Sequence, residues 1–175
     1  MTTNKNSVVR KCYGTKVQEE YQSSGTAIIP GMLLELTSTA NRVQAQSVQG
    51  GNAYPLIALE DDLQGKGIDE AYVATAGTKI QCWMPRRGDE GHLILVDGEN
   101  IAIGNLLEGD GTGRVQKHTA DVDAAHDSDD PDAATTIYTN QVIAVALEAV
   151  DLSDSSGAED SGTLDYDYRI AVKFI

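Results

Sequence analysis

The chain has 175 residues, 41% of them hydrophobic and 23% charged, and a formal net charge of -14. That length suits one domain or two small fused halves with a buried core. The acidic balance excludes nucleic-acid binding by the body, because phosphate is repelled. No apolar run reaches the ~18 residues of a membrane span.

Charge is distributed unevenly. From Thr119 to Ile175 thirteen carboxylates face only Arg169 and Lys173, whereas Met1–Gln18 holds Lys5, Arg10, Lys11 and Lys16 and no acid. The first 18 residues also lack the apolar core of a signal peptide, so a protein made in the cytosol is expected. Residues 1–25 are polar, with Val8, Val9, Tyr13 and Val17 too scattered for a core strand. They read either as a frayed terminus or as an extended, flexible N-terminal arm that becomes a strand only against a partner.

The body is expected over 26–175. Thr26–Pro30 reads as a short strand closed by Pro30-Gly31, and Met32–Leu36 as the next. Arg42–Gln46 alternates polar and small apolar residues, which is the period of a half-buried strand. Tyr54–Leu59 is an apolar run bounded by turn residues and reads as a buried strand. Glu60–Glu70 has room for one helical turn. Strands are expected at Ala71–Ala74, Lys79–Met84 and His92–Val96, the last followed by the hairpin signal Asp97-Gly98. Ile101–Gly104, Asn105–Glu108 and Arg114–Lys117 follow, with a tight turn at Gly109–Gly113. Gln141–Val150 has helix formers, but its isoleucine and valines favour a strand. Tyr166–Ile175 closes the chain as a strand.

Short strands at ~8–12-residue spacing predict a mainly β fold, a barrel or sandwich with little helix. The chain also reads as two pseudo-repeated halves, about 26–84 and 92–175. Gly31-Met-Leu-Leu-Glu matches Gly104-Asn-Leu-Leu-Glu, and Arg42-Val-Gln matches Arg114-Val-Gln. Ile57-Ala-Leu-Glu matches Val145-Ala-Leu-Glu, and Ile80–Met84 matches Ile170–Phe174. An acidic insert, about 119–135, interrupts the second copy. Leu34, Ile57, Leu59, Trp83, Leu147 and Phe174 are the expected core.

No catalytic set emerges. Gly109–Gly113 lacks the following helix that a phosphate loop needs, and reads as a hairpin turn. The acids of the insert (Asp121, Asp123, Asp127, Asp129, Asp130 and Asp132, with His126) lack EF-hand spacing and read as a solvated loop. Glu60-Asp61-Asp62 has no paired nucleophile or histidine and reads as a turn. His92, His118 and His126 read as surface residues. Cys12 and Cys82 show no zinc spacing and read as free thiols. No enzyme, metal or cofactor is expected. Arg86-Arg87 is the one basic pair outside the arm, a contact loop or a solvated one.

The phrase Pro30-Gly31-x-Leu33-x-x-Leu36…Val43…Ile57-Ala58-Leu59-Glu60, repeated in part by Gly104–Leu107, Val142–Glu148 and Arg169–Phe174, resembles the small capsid decoration (cement) proteins of tailed phages. The resemblance covers about 26–175. It implies a β-rich homotrimer on the outer surface of a phage capsid, stabilising the expanded head by clamping neighbouring major capsid subunits. It implies that the arm, through Lys5, Val8, Val9, Arg10, Lys11, Tyr13, Lys16 and Val17, adds a strand to a capsid loop. Arg86 and Arg87 would touch a neighbouring subunit or the capsid. The partners would be the major capsid protein and other copies, with no nucleic acid and no membrane. The competing reading is a ligand- or carbohydrate-binding β-module, which needs an exposed aromatic platform from Tyr54, Tyr72, Tyr138, Tyr166 and Tyr168.

Overall fold

The computed structural model describes residues 5–51, 55–118, 141–154 and 169–175. The acidic insert, and Tyr54, Tyr138, Tyr166 and Tyr168, lie outside them. Among the described residues the fold is all-β apart from one 3-10 turn at Asp62–Gln64. The strands are β1 (Val9–Lys11), β2 (Val17–Ser23), β3 (Leu33–Leu36), β4 (Arg42–Ala45), β5 (Leu56–Ala58), β6 (Lys79–Met84) and β7 (Glu90–Ile94). They continue as β8 (Asn100–Ile101), β9 (Leu106–Gly109), β10 (Val115–Lys117), β11 (Val142–Ala146), β12 (Val150–Asp151) and β13 (Arg169–Phe174).

A closed barrel runs β2-β4-β3-β5-β6, and a six-stranded sheet runs β1-β7-β13-β11-β9-β10. The sheet repeats the barrel pair by pair. Leu34↔Ala45, Glu35↔Gln44 and Leu36↔Val43 in the first unit become Leu107↔Lys117, Glu108↔Gln116 and Gly109↔Val115 in the second. Leu33↔Ile57 becomes Leu106↔Val145. Ile57↔Trp83 and Ala58↔Cys82 become Val145↔Lys173 and Ala146↔Val172. The parallel pair Ser23↔Val43 returns as the parallel bridge Leu95↔Val115. The turn at Gly31 (φ 94°) and that at Gly104 (φ 86°) are the same device, since a left-handed backbone suits glycine. Their N–H groups donate to Ala58 at 2.8 Å and to Ala146 at 2.9 Å.

This register corrects the expected boundaries. β2 is the counterpart of β7, so the first unit starts at Val17 and not at residue 26. Residues 17–23 are a barrel strand paired with β6 along six positions, Val17 to Gln22. Val8 is fully buried, its N–H donates to Glu60 at 2.5 Å, and β1 pairs with β7. The basic segment is therefore part of the body and not a separate arm. Its apolar residues looked too sparse for a core strand because β2 needs only Tyr21 and Ser23 inside, while backbone pairing holds the rest.

Three further expectations change. The strands at Thr26–Pro30 and Ala71–Ala74 shrink to one bridge, Ile28↔Tyr72, which mirrors the pairing of β8 with β12 at Ile101↔Val150. Asp97-Gly98 does turn the chain, with Gly98 at φ 83°, but β8 pairs with β12 and not with β7. Leu147 is only half-buried. It occupies the place of Leu59 on the outer face of its unit. Leu59 is covered there because it packs with Leu33, Ile57 and Trp83 against the interior of the second unit.

The interior of the first barrel holds Leu34, Val43, Leu56, Ala58, Ile80, Cys82 and Tyr72. The second interior holds Leu107, Val115, Ala144, Ala146, Ile170 and Val172, and the outer face of β3, β5 and β6 joins it as one core. Leu34, Ile57, Leu59, Trp83 and Phe174 are all buried as expected. Arg169, 3% exposed, ties the units together: its guanidinium reaches Asp69 at 2.7 Å, Pro30 O at 3.2 Å and the Ile68 carbonyl.

Candidate functional site

Three chain segments meet at one end of the second unit. They are the β1–β2 loop (Cys12–Lys16), the β6–β7 loop (Pro85–Asp89) and the end of β13. Asp89 organises them. It is 4% exposed, and its carboxylate accepts N–H bonds from Tyr13 and Arg86, both at 2.9 Å. Its own backbone exchanges with the C-terminal strand: Phe174 N–H donates to Asp89 O at 2.9 Å, and Gly88 N–H to Phe174 O at 2.8 Å. A buried carboxylate satisfied by two backbone donors holds both loops in place.

On this frame stands a basic face. Tyr13 is 59% exposed. Lys11 Nζ donates to its hydroxyl at 2.8 Å and lies 4.4 Å from its ring centroid, and Lys173 Nζ lies 5.7 Å from the same ring. The Tyr13 hydroxyl raises the Lys11 ammonium above its ordinary value, so it stays charged. Arg86 reaches Gly14, where a Cβ would stand 3.2 Å from its guanidinium. The exposed Arg10 meets the half-buried Glu90 at 3.7 Å. Arg10, Lys11, Lys16, Arg86, Arg87 and Lys173 are six of the chain's 13 Lys and Arg residues. Lys11, Lys173 and Arg86 gather around Tyr13 and Gly14, with Glu90 in register between the two lysines, and this makes a local field that attracts acids on a body of charge -14.

The fold thus joins Arg86 and Arg87 to the segment that the sequence placed in a separate arm. Lys5 is elsewhere: it pairs with Glu148 and donates to the Arg169 carbonyl. Val8 is core, and Val9 and Val17 are half-buried. The sequence reading missed Lys173 and Asp89. The basic pattern gave no hint of Asp89, because a carboxylate bonded to backbone leaves no mark in charge spacing.

The other candidates resolve into structure. Asp61 caps the 3-10 turn, accepting from Leu63 N at 3.0 Å, and Glu60 takes the Val8 N–H. Asp110 closes the Gly109–Gly113 turn by accepting from Thr112 N at 2.8 Å and Arg114 N at 2.9 Å. His92 and His118 are half-buried rather than surface residues. His92 Nδ1 lies 2.7 Å from Ser7 O, and His118 Nδ1 lies 2.6 Å from Glu108. Cys12 and Cys82 are free thiols, and burial pushes Cys82 up to about 12. Among the described residues no group of three or more His, Cys, Asp or Glu is placed to hold a metal, and no helix is long and apolar enough to cross a membrane.

Taken together, these features define a class: among the described residues, an all-β chain that joins a closed five-stranded barrel to a six-stranded sheet of matching strand register. No protein-family model and no curated protein matches it. Among solved structures it is similar to the N base of head fiber gp8.5 of bacteriophage phi29, with a TM-score of 0.50 at 11% identity, covering 92% of this chain and 95% of that one.

Proposed function

We propose that this chain is a virion structural protein that sits on the outer surface of a tailed-phage head. It has no enzymatic role in this reading. The observation that carries it is the basic, Tyr13-centred face on a strongly acidic body, and a fold similar over 92% of the chain to the base of a phage head fibre supports it. A shell-binding protein needs a rigid body, a charged contact surface and many copies, and no active site. Arg10, Lys11, Lys16, Arg86, Arg87 and Lys173 are its capsid-contact residues, facing carboxylates of the major capsid protein. β1 is the edge strand of the six-stranded sheet, so its outer edge can take a strand from a capsid loop without any arm leaving the body. Several copies, as a homotrimer, clamp neighbouring capsid subunits and stabilise the expanded head.

The test is co-sedimentation with expanded heads at two salt concentrations. Lys11→Glu/Arg86→Glu/Arg87→Glu should abolish binding while the melting temperature holds. Binding by wild type should weaken as salt rises. Undiminished binding by the triple variant would reject the face.

Of the five tyrosines expected for a carbohydrate platform, Tyr72 alone falls within the described residues. Tyr72 is 2% exposed, with its hydroxyl donating to Leu59 O at 2.7 Å.

A further inference from the structure

The two units differ at one backbone edge. In the second, the outer edge of β7 is covered. Val9 and Lys11 of β1 pair with Gly91 and Glu90, and His92 N–H donates to Val8 O at 2.8 Å. In the first unit the residues in the same register are Gln18, Glu19 and Glu20. They lie opposite Trp83, Cys82 and Gln81, as Glu90, Gly91 and His92 lie opposite Lys173, Val172 and Ala171.

The hydrogen-bond phase is also the same. Leu59 N–H donates to Gln81 O, and Leu147 N–H donates to Ala171 O, both at 2.8 Å. Gln81 therefore bonds away from β2. In an antiparallel pair its partner Glu20 then turns N–H and C=O outward, as His92 does. Among the described residues no strand takes these groups. β4 joins β2 only at Gln22 and Ser23, and Gln18, Glu19 and Glu20 are exposed.

We propose that the Gln18–Glu20 edge is a strand-accepting site for an extended basic segment of a partner protein. The molecule supplies its own template for the occupant. The segment seated in the equivalent slot of the second unit is Val8-Val9-Arg10-Lys11, two β-branched residues followed by two cations. Charge selects the same kind of guest: Glu19, which accepts from the Tyr21 hydroxyl at 2.6 Å, and Glu20, which meets the exposed Lys79 at 2.8 Å, flank the edge of a body with net charge -14. Backbone pairing supplies affinity, and the flanking carboxylates supply preference for lysine and arginine. This site is distinct from the basic face, which attracts acids, and it stands whether or not that face binds a capsid.

The experiment uses the full chain and a fluorescent peptide of residues 7–13 carrying Cys12→Ser, followed by anisotropy. Saturable binding is expected, weakened at high salt. Glu20→Pro removes the outward N–H and leaves the ladder to β6 intact, as proline does on an edge strand. It should weaken binding about tenfold, the weight of one backbone hydrogen bond. Glu19→Lys/Glu20→Lys should weaken it as well, and decides the matter if the proline variant melts early. No saturable binding to wild type would overturn the proposal. Equal binding to both variants would overturn it too, because the peptide would then be held elsewhere.

Discussion

Trp83 and Phe174 meet edge to face across the junction of the two units, with ring centroids 5.3 Å apart and planes at 88°. They are not counterparts. Trp83 shares its place with Lys173, and Phe174 with Met84. Because side chains alternate along a strand, that one-residue difference sends Trp83 out of the first barrel and Phe174 up to meet it. Gly91 lies beneath, where a Cβ would stand 2.9 Å from the indole and 3.0 Å from Val8 O. Trp83→Ala should cost about 3–5 kcal/mol. Gly91→Ala should cost about 1–3 kcal/mol through overpacking. Urea unfolding of both variants checks this, and a Gly91→Ala protein as stable as wild type would contradict the packing.

The equivalent pairs Glu35–Gln44 and Glu108–Gln116 differ in burial, not in geometry. Gln44 donates to Glu35 at 2.6 Å and Gln116 to Glu108 at 2.9 Å. Burial works against the Glu35 carboxylate, but Ser47 and Gln44 outweigh it and hold its pKa below the ordinary value. Glu108 is 1% exposed and also faces His118. Glu108→Ala strands two half-buried partners and should cost about 1–3 kcal/mol. Glu35→Ala leaves groups that water reaches and should cost under about 1 kcal/mol. Equal losses in thermal or chemical melts would refute the distinction.

Truncation separates an arm from a body. Deleting residues 1–23 removes all of β2, breaks the barrel and strips its pairing to β6 and β4. The product should lack cooperative unfolding by circular dichroism. Deleting residues 1–11 removes β1, Val8 and the Lys5 pair with Glu148, and should leave a folded but weakened chain. A stable, cooperative protein without β2 would restore the separate-arm reading.

Stability should fall with acid in two stages. His92 sits below the ordinary imidazole value because it is partly buried, with Lys5 adding to the effect against the Ser7 carbonyl. The unfolded chain therefore takes up this proton first. The His92 contribution is complete above about pH 6.5 and is lost as pH falls toward the folded value. For Glu148, burial pushes upward, but the Lys5 ammonium and the Ala171 N–H outweigh it, and the net shift is downward. Its contribution is complete above about pH 4.5 and is lost below that. Urea midpoints measured from pH 8 to pH 4 should show the upper stage shrink in His92→Gln. An unchanged profile in that variant would remove His92 from the account.

The phrases Gly31–Glu35 and Gly104–Glu108 stand out in the sequence because they occupy turn and strand-start positions of the same register, where backbone geometry restricts the residue. The all-β character was legible from strand-length apolar runs between glycines. The unit boundaries were not. β2 and β7 share a pairing register but almost no residues, since backbone hydrogen bonds place them and side chains do not. The same reason hid the basic face. Lys11, Arg86 and Lys173 are distant in the chain, and only the closure of the strands around Asp89 brings them to one surface. Leu147 shows the limit from the other side: it repeats Leu59 in sequence, yet the two units pack on one of these faces and not on the other. Local pattern decided what the strands are. Which edge stays open and which face is covered depended on contacts between units, and those are set by the whole chain.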